Sequence, residues 1–196
     1  MSYRVYTTPG IVLKKLPSKE ADVVLYILTH DLGLIIASAK ATRKLSSKLG
    51  RFLEEYSHIS VSAIKSKNGW KITNVSDIDN FYFSSLDNAR VIIARTSSLL
   101  ISMMPGEVPQ PAIFETVETG FEILKSLEEK NIPHFEVVMV LRILHLLGYV
   151  ATDSQTEIFV SNANDWNQDI LERASENKTV LVGLINKALQ ESQLNV

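Results

Sequence analysis

No cysteine occurs among the 196 residues. That excludes disulfides, thiolate metal ligands and cysteine nucleophiles, and it leaves packing to hold the fold. No apolar run reaches the roughly 18 residues needed to cross a bilayer. The longest, around Val137 to Leu147, is interrupted by Arg142 and His145 and reads as a core helix. No N-terminal stretch has the basic, apolar and small-residue order of a signal peptide, so a cytoplasmic location without membrane association is expected. The eight glycines are scattered, and neither GxGxxG nor GxxxxGK[ST] occurs, which excludes the common phosphate-cradling loops. His30, His58, His134 and His145 lie far apart, and none stands in a metal-ligand spacing. Glu54-Glu55 and Glu128-Glu129 are adjacent pairs, which point in different directions on a helix. Nothing nominates a catalytic centre, a metal or a cofactor, and a non-enzymatic binding function is expected.

What is present is an uneven charge. Residues 1–76 hold twelve Lys and Arg against five Asp and Glu, leaving eight against seventeen in the remainder. A basic half attracts a polyanion; an acidic half limits nonspecific binding or meets a protein partner. The hydrophobic share of 45% and charged share of 21% suit a globular chain with one sizeable core or two small ones.

The basic half is written with the period of strands. Ile11–Leu13, Val23–Leu28, Leu34–Ala37, Ile59–Ile64 and Trp70–Val75 are short runs rich in β-branched and aromatic residues. His30-Asp-Leu-Gly33 and Lys65-Ser-Lys-Asn68-Gly69 are hairpin connections between them. Ile59, Val61 and Ala63 alternate with Ser60, Ser62 and Ile64, giving at least one clear apolar face. Five strands in about eighty residues must hide their edges, so a small closed or partly open barrel of OB type is expected over residues 1–80.

From residue 81 the period is helical, and residues 81–196 are expected to form an α-helical domain, making the chain α+β. Leu86 to Met104 places Ala89, Ile92, Ile93, Thr96, Leu99 and Leu100 on one stripe and ends at Pro105-Gly106. A second helix is expected from Pro111 to Lys130. A third starts near Pro133, runs to Leu147 and stops at Gly148. Weaker helical patterns cover Asn167 to Ser175 and Thr179 to Gln193.

The strongest functional signal is Lys40-Ala-Thr-Arg43-Lys44-Leu-Ser46-Ser-Lys48-Leu-Gly-Arg51, five cations in twelve residues with no acid. Lying between two strands, it can contact phosphates by charge, hydroxyl and backbone N–H together. Lys14, Lys15 and Lys19 extend the same field, as can Lys65, Lys67 and Lys71. The alternative is a merely solvated basic surface. Trp70, Tyr56, Phe52 and Tyr26 are either barrel core or base-stacking platforms; a small barrel needs large side chains inside, and Trp70, after a hairpin turn, is the best stacking candidate of the four.

In this order the motifs resemble the RecO family: Gly10-Ile-Val-Leu-Lys14, Glu20-Ala-Asp22, Thr29-His-Asp-Leu-Gly33, Ala39-Lys-Ala-Thr-Arg43-Lys-Leu-Ser46-Ser-Lys48, Leu53-Glu-Glu-Tyr56 and Leu144-His-Leu-Leu-Gly148-Tyr149. The resemblance covers roughly residues 3 to 150. It implies an N-terminal OB fold followed by a helical domain, and a recombination mediator that binds single- and double-stranded DNA and anneals strands. It further implies action with a RecR-like protein to place recombinase on DNA coated by the single-strand-binding protein. The DNA contacts carry over to Lys40, Arg43, Lys44, Ser46 and Lys48, with Arg51 adjacent and Lys14 and Lys15 on the same field. Arg142 with Leu146 falls where the family takes the single-strand-binding protein's tail, although packing alone could also explain both. Many family members carry a four-cysteine zinc element after Leu-Gly-Tyr; here Gly148-Tyr149 leads into Val150-Ala-Thr-Asp-Ser-Gln, so no zinc is expected through that motif. Against the family the chain looks shortened at its C-terminal end. The competing reading is a protein-interaction adaptor without direct DNA binding.

Overall fold

The structure is a computed structural model that describes residues 4–18, 22–40, 52–162 and 165–192, the side chains of residues 77 and 78 excepted. Five strands, β1 (Val5–Ser18), β2 (Asp22–Thr29), β3 (Gly33–Ala39), β4 (Ser57–Ser66) and β5 (Gly69–Asn80), close into a barrel in the order β1-β2-β3-β5-β4. All pairings are antiparallel except the short parallel pairing of β3 with β5. This is the five-stranded OB-type barrel that the strand count implied.

Alternation decides what each strand buries. Val23, Leu25 and Ile27 on β2, Ile35, Ala37 and Ala39 on β3, and Ile59, Val61 and Ala63 on β4 are all within 1% of full burial and form the barrel core with Val12, Leu53 and Trp70. Each Val, Leu or Ile side chain so buried contributes about 1.5 to 3 kcal/mol. β1 is far longer than its apolar triplet because it serves two partners. Residues 5–11 pair with β4 and residues 10–18 with β2. A bulge at Leu13 breaks the register between Val12 and Lys14 and buries three consecutive residues, Ile11, Val12 and Leu13, before Lys14 emerges.

Two compact units divide the chain. The first holds residues 1–84 together with Met104–Pro111, a segment that returns to the barrel. The Leu34 N–H donates to the Gly106 carbonyl at 2.9 Å. Gly33, with φ of +74°, lets this happen: a Cβ there would lie 2.3 Å from the Val108 oxygen and 2.6 Å from the Gly106 oxygen. Gly33→Ala therefore combines left-handed strain with a backbone clash and is expected to cost about 2 kcal/mol. Urea unfolding checks this, and an unchanged midpoint would contradict it.

The second unit is helical: α1 (Asp87–Met103), α2 (Pro111–Leu124), α3 (Ile132–Leu146), α4 (Glu157–Val160), α5 (Gln168–Glu176) and α6 (Lys178–Glu191). The expected stripe of α1 is the buried one. α2 stops at Leu124, six residues short of Lys130. The Lys125 and Ser126 N–H groups bond to the carbonyls of Glu122 and Ile123, and Glu128 is extended before a 3₁₀ turn at Glu129–Asn131. α3 is the hub, packed by α1, α4, α5 and α6. It ends in a Schellman motif: Gly148 at φ +85° donates to the His145 carbonyl and Tyr149 to that of Leu144. Asn167 caps α5 by accepting from the Ile170 N–H at 2.9 Å. The short α4 had no counterpart in the helical periodicity.

Candidate nucleic-acid interface

On a pleated sheet, residues directly opposite one another share a face. Because Leu25, Ile27, Ile35 and Ala37 point into the core, Val24, Tyr26, Ile36 and Ser38 point out. Lys14 lies opposite Tyr26, which lies opposite Ile36. The next row is Leu16, Val24, Ser38 and Lys71. The result is an outer surface with an exposed apolar strip, Ile36 at 52% and Leu16 at 37%, and a lysine at each end, Lys14 on β1 and Lys71 on β5.

The parallel pairing of β3 and β5 spans only Ala37 with Trp70 and Ser38 with Lys71. Beside it opens a cleft of about 350 Å³ lined by Ser38, Lys40, Ile64, Lys71, Ile72 and Thr73. Lys40, exposed, is the first residue of the basic run; the run's Arg43, Lys44, Ser46, Lys48 and Arg51 lie outside the described residues. The Ser38 and Thr73 hydroxyls donate to the Trp70 and Ser62 carbonyls, so the two lysines are what suit this cleft to an anion, and the adjoining apolar strip suits the faces of bases. Lys67 adds an exposed cation in the tight β4–β5 turn, where Gly69 takes φ of +93°.

Not every barrel cation is available. Lys15 pairs with Glu54 at 2.7 Å, and its backbone N–H donates to the Glu55 carboxylate at 2.9 Å. Lys65 pairs with Glu107 on the returning segment and stands 5.5 Å from the centre of the Trp70 ring. Lys14, Lys40, Lys67 and Lys71 form no ion pair among the described residues. They are the cations a phosphate meets without displacing a carboxylate.

The aromatic candidates separate. Trp70 is turned inward, 4% exposed and edge-on to Tyr6, so it is core and not a stacking platform. Phe52 packs half-buried against the same core. Tyr26 is half-buried on the outer face beside Lys14. Tyr56 is half-buried and stacks on Tyr82; burial, with Glu55 nearby, holds its phenol above the usual range.

In the helical unit, Arg142 is fully buried. Its guanidinium donates to the Phe159 carbonyl at 2.7 Å and the Asp165 carbonyl at 2.6 Å and lies 4.1 Å from the centre of the Trp166 ring, which itself stacks on Phe135. Burial pulls its pKa down to about 10, so it remains charged at neutral pH. These contacts occupy Arg142 inside the unit, and Leu146 is half-buried on the last turn of α3. Among the described residues no group of three or more His, Asp or Glu is placed to hold a metal ion, and no helix is long and apolar enough to cross a membrane.

A sequence model described as "Recombination protein O N terminal" matches residues 1–81, the barrel and its immediate continuation. DNA repair protein RecO of Thermodesulfovibrio yellowstonii is 30% identical over 148 residues, covering 74% of this chain and 58% of that protein. This chain belongs to the RecO family. DNA repair protein RecO of Dehalococcoides mccartyi is 31% identical over 148 residues, covering 74% of this chain and 56% of the relative. The RecO-family chain thus spans somewhat more than half the length of these curated relatives.

Proposed function

We propose that this chain is a recombination mediator in DNA repair that binds single- and double-stranded DNA through the outer face of its barrel and anneals complementary strands. In this reading it works in the cytoplasm, without catalysis of its own. A RecR-like protein and the single-strand-binding protein are its partners in loading recombinase. The observation that supports the reading is the set of cations without carboxylate partners among the described residues, Lys14, Lys71 and Lys40, around an exposed apolar strip, at the point where the basic run departs from β3. Relatives named DNA repair protein RecO give it its biological setting.

Lys14, Lys40 and Lys71 replaced together by Ala should weaken binding of a labelled single-stranded oligonucleotide about tenfold, read by fluorescence anisotropy. Each phosphate contact carries part of the affinity through counterion release, so the loss should be largest at low salt. Unchanged affinity would move the interface elsewhere. Negligible DNA affinity of the wild type, together with a stable complex with a RecR-like or single-strand-binding protein, would favour the adaptor reading.

A further inference from the structure

Phe83 is 71% exposed, more than any other large hydrophobic residue described. It is nonetheless held firmly. The turn after β5 is built around Asn80, whose amide donates to the Glu55 carbonyl and the Ser57 hydroxyl, both at 3.0 Å, while its oxygen accepts from the N–H groups of Tyr82 and Phe83. Ser84 ties the turn off, through its N–H to the Asn80 carbonyl and its hydroxyl to Asp79. Two rings of this turn, Tyr82 and Phe83, continue a cluster that begins with Tyr56, just before β4. Tyr56 and Tyr82 are stacked with centroids 5.5 Å apart and planes 21° apart, and Phe83 stands edge-on to Tyr82 at 5.8 Å and 89°. Tyr56 takes a left-handed φ of 67°, alone among the described residues other than glycine.

We propose that Phe83, backed by Tyr82 and Tyr56, is a stacking platform for an unpaired base of a single strand that crosses the barrel face, a reading that rests on the interface proposed above. The placement supports this. The Tyr56 N–H bonds to the Val12 carbonyl on the flank of β1 away from β2, while Lys14 of β1 lies opposite Tyr26 of β2. Lys14, at the edge of the apolar strip, is thus two residues along β1 from the position that ties the ring cluster to the barrel. Tyr56 also lies five residues after Arg51, the end of the basic run. The acids nearby are engaged: Glu54 by Lys15, Glu55 by the Lys15 N–H, and Asp79 by the Asn80 N–H and Ser84. An exposed ring serves an unpaired base, whose face is free, and not a base inside a duplex. The platform therefore gives single strands an advantage that charge alone does not supply.

The test uses the full chain and two labelled probes, oligo(dT) and a duplex of equal length. Phe83→Ala should lose about tenfold in affinity for oligo(dT), with the duplex and the salt slope unchanged, because stacking is worth about 1 to 3 kcal/mol per base. Phe83→Leu should behave like Phe83→Ala, and Phe83→Trp should restore binding. The emission of Phe83→Trp should be quenched by oligo(dT) and not by the duplex. Wild-type affinity in Phe83→Ala, or an equal loss for both probes, overturns the platform alone. A wild type that binds neither probe overturns the interface and the platform together.

Discussion

Arg142→Ala is expected to destabilise the protein by about 3 to 5 kcal/mol, the largest effect of any single substitution considered. The side chain is wholly buried and satisfies two carbonyls, of Phe159 and Asp165, that no other described side chain reaches. Its removal strips these acceptors of a charged donor and opens a void against Trp166. Arg142→Met should cost less than Ala, since it keeps the apolar stem beside the ring and loses only the donors. Both variants, below their unfolding temperatures, should bind DNA as the wild type does, because the residue acts by pinning Phe159, Asp165 and Trp166 to α3. Chemical denaturation gives the first quantity and anisotropy the second. A variant of wild-type stability would contradict the buried-donor account.

The second large effect is expected in the basic run. Arg43, Lys44 and Lys48 replaced together by Ala should lower affinity for single-stranded DNA roughly a hundredfold at low salt. The plot of log affinity against log salt should become shallower by about 2, at roughly 0.7 per phosphate contact on a single strand. The three changes remove charge from a stretch that holds no acid, so none of the three has a neighbour within it to compensate. Circular dichroism should be unchanged. If affinity and slope both persist, the phosphates are held by the barrel lysines alone.

The barrel was legible because its signals are local. Ile59, Val61 and Ala63 announce their face by alternation, and Asn68-Gly69 announces its turn. The stripe of α1 was legible for the same reason, through a period of 3.6. What escaped depends on residues distant in the chain. Arg142 reads as a break in an apolar run, and its partners lie 17 and 23 residues further on in a segment with no periodicity. Lys15 and Lys65 look as available as Lys14 until Glu54 and Glu107 are placed against them, 39 and 42 residues away. The early end of α2 turns on tight i→i+3 bonds that no residue type between Lys125 and Glu128 demands. Phe83 sits in an aromatic run, Phe81-Tyr-Phe83, that marks the end of the strands. Which of the three rings faces solvent follows from the Asn80-centred turn, and Phe81 is buried while Phe83 is not.

The central claim is that the barrel's outer face and the basic run beside it hold nucleic acid by its phosphates. Anisotropy of a labelled single-stranded oligonucleotide with the wild-type chain over a salt series tests it most directly. Log affinity should fall linearly with log salt with a slope of about −3 or steeper, the counterion release of at least four contacts. An affinity that does not change with salt, or no binding at low salt, would contradict it.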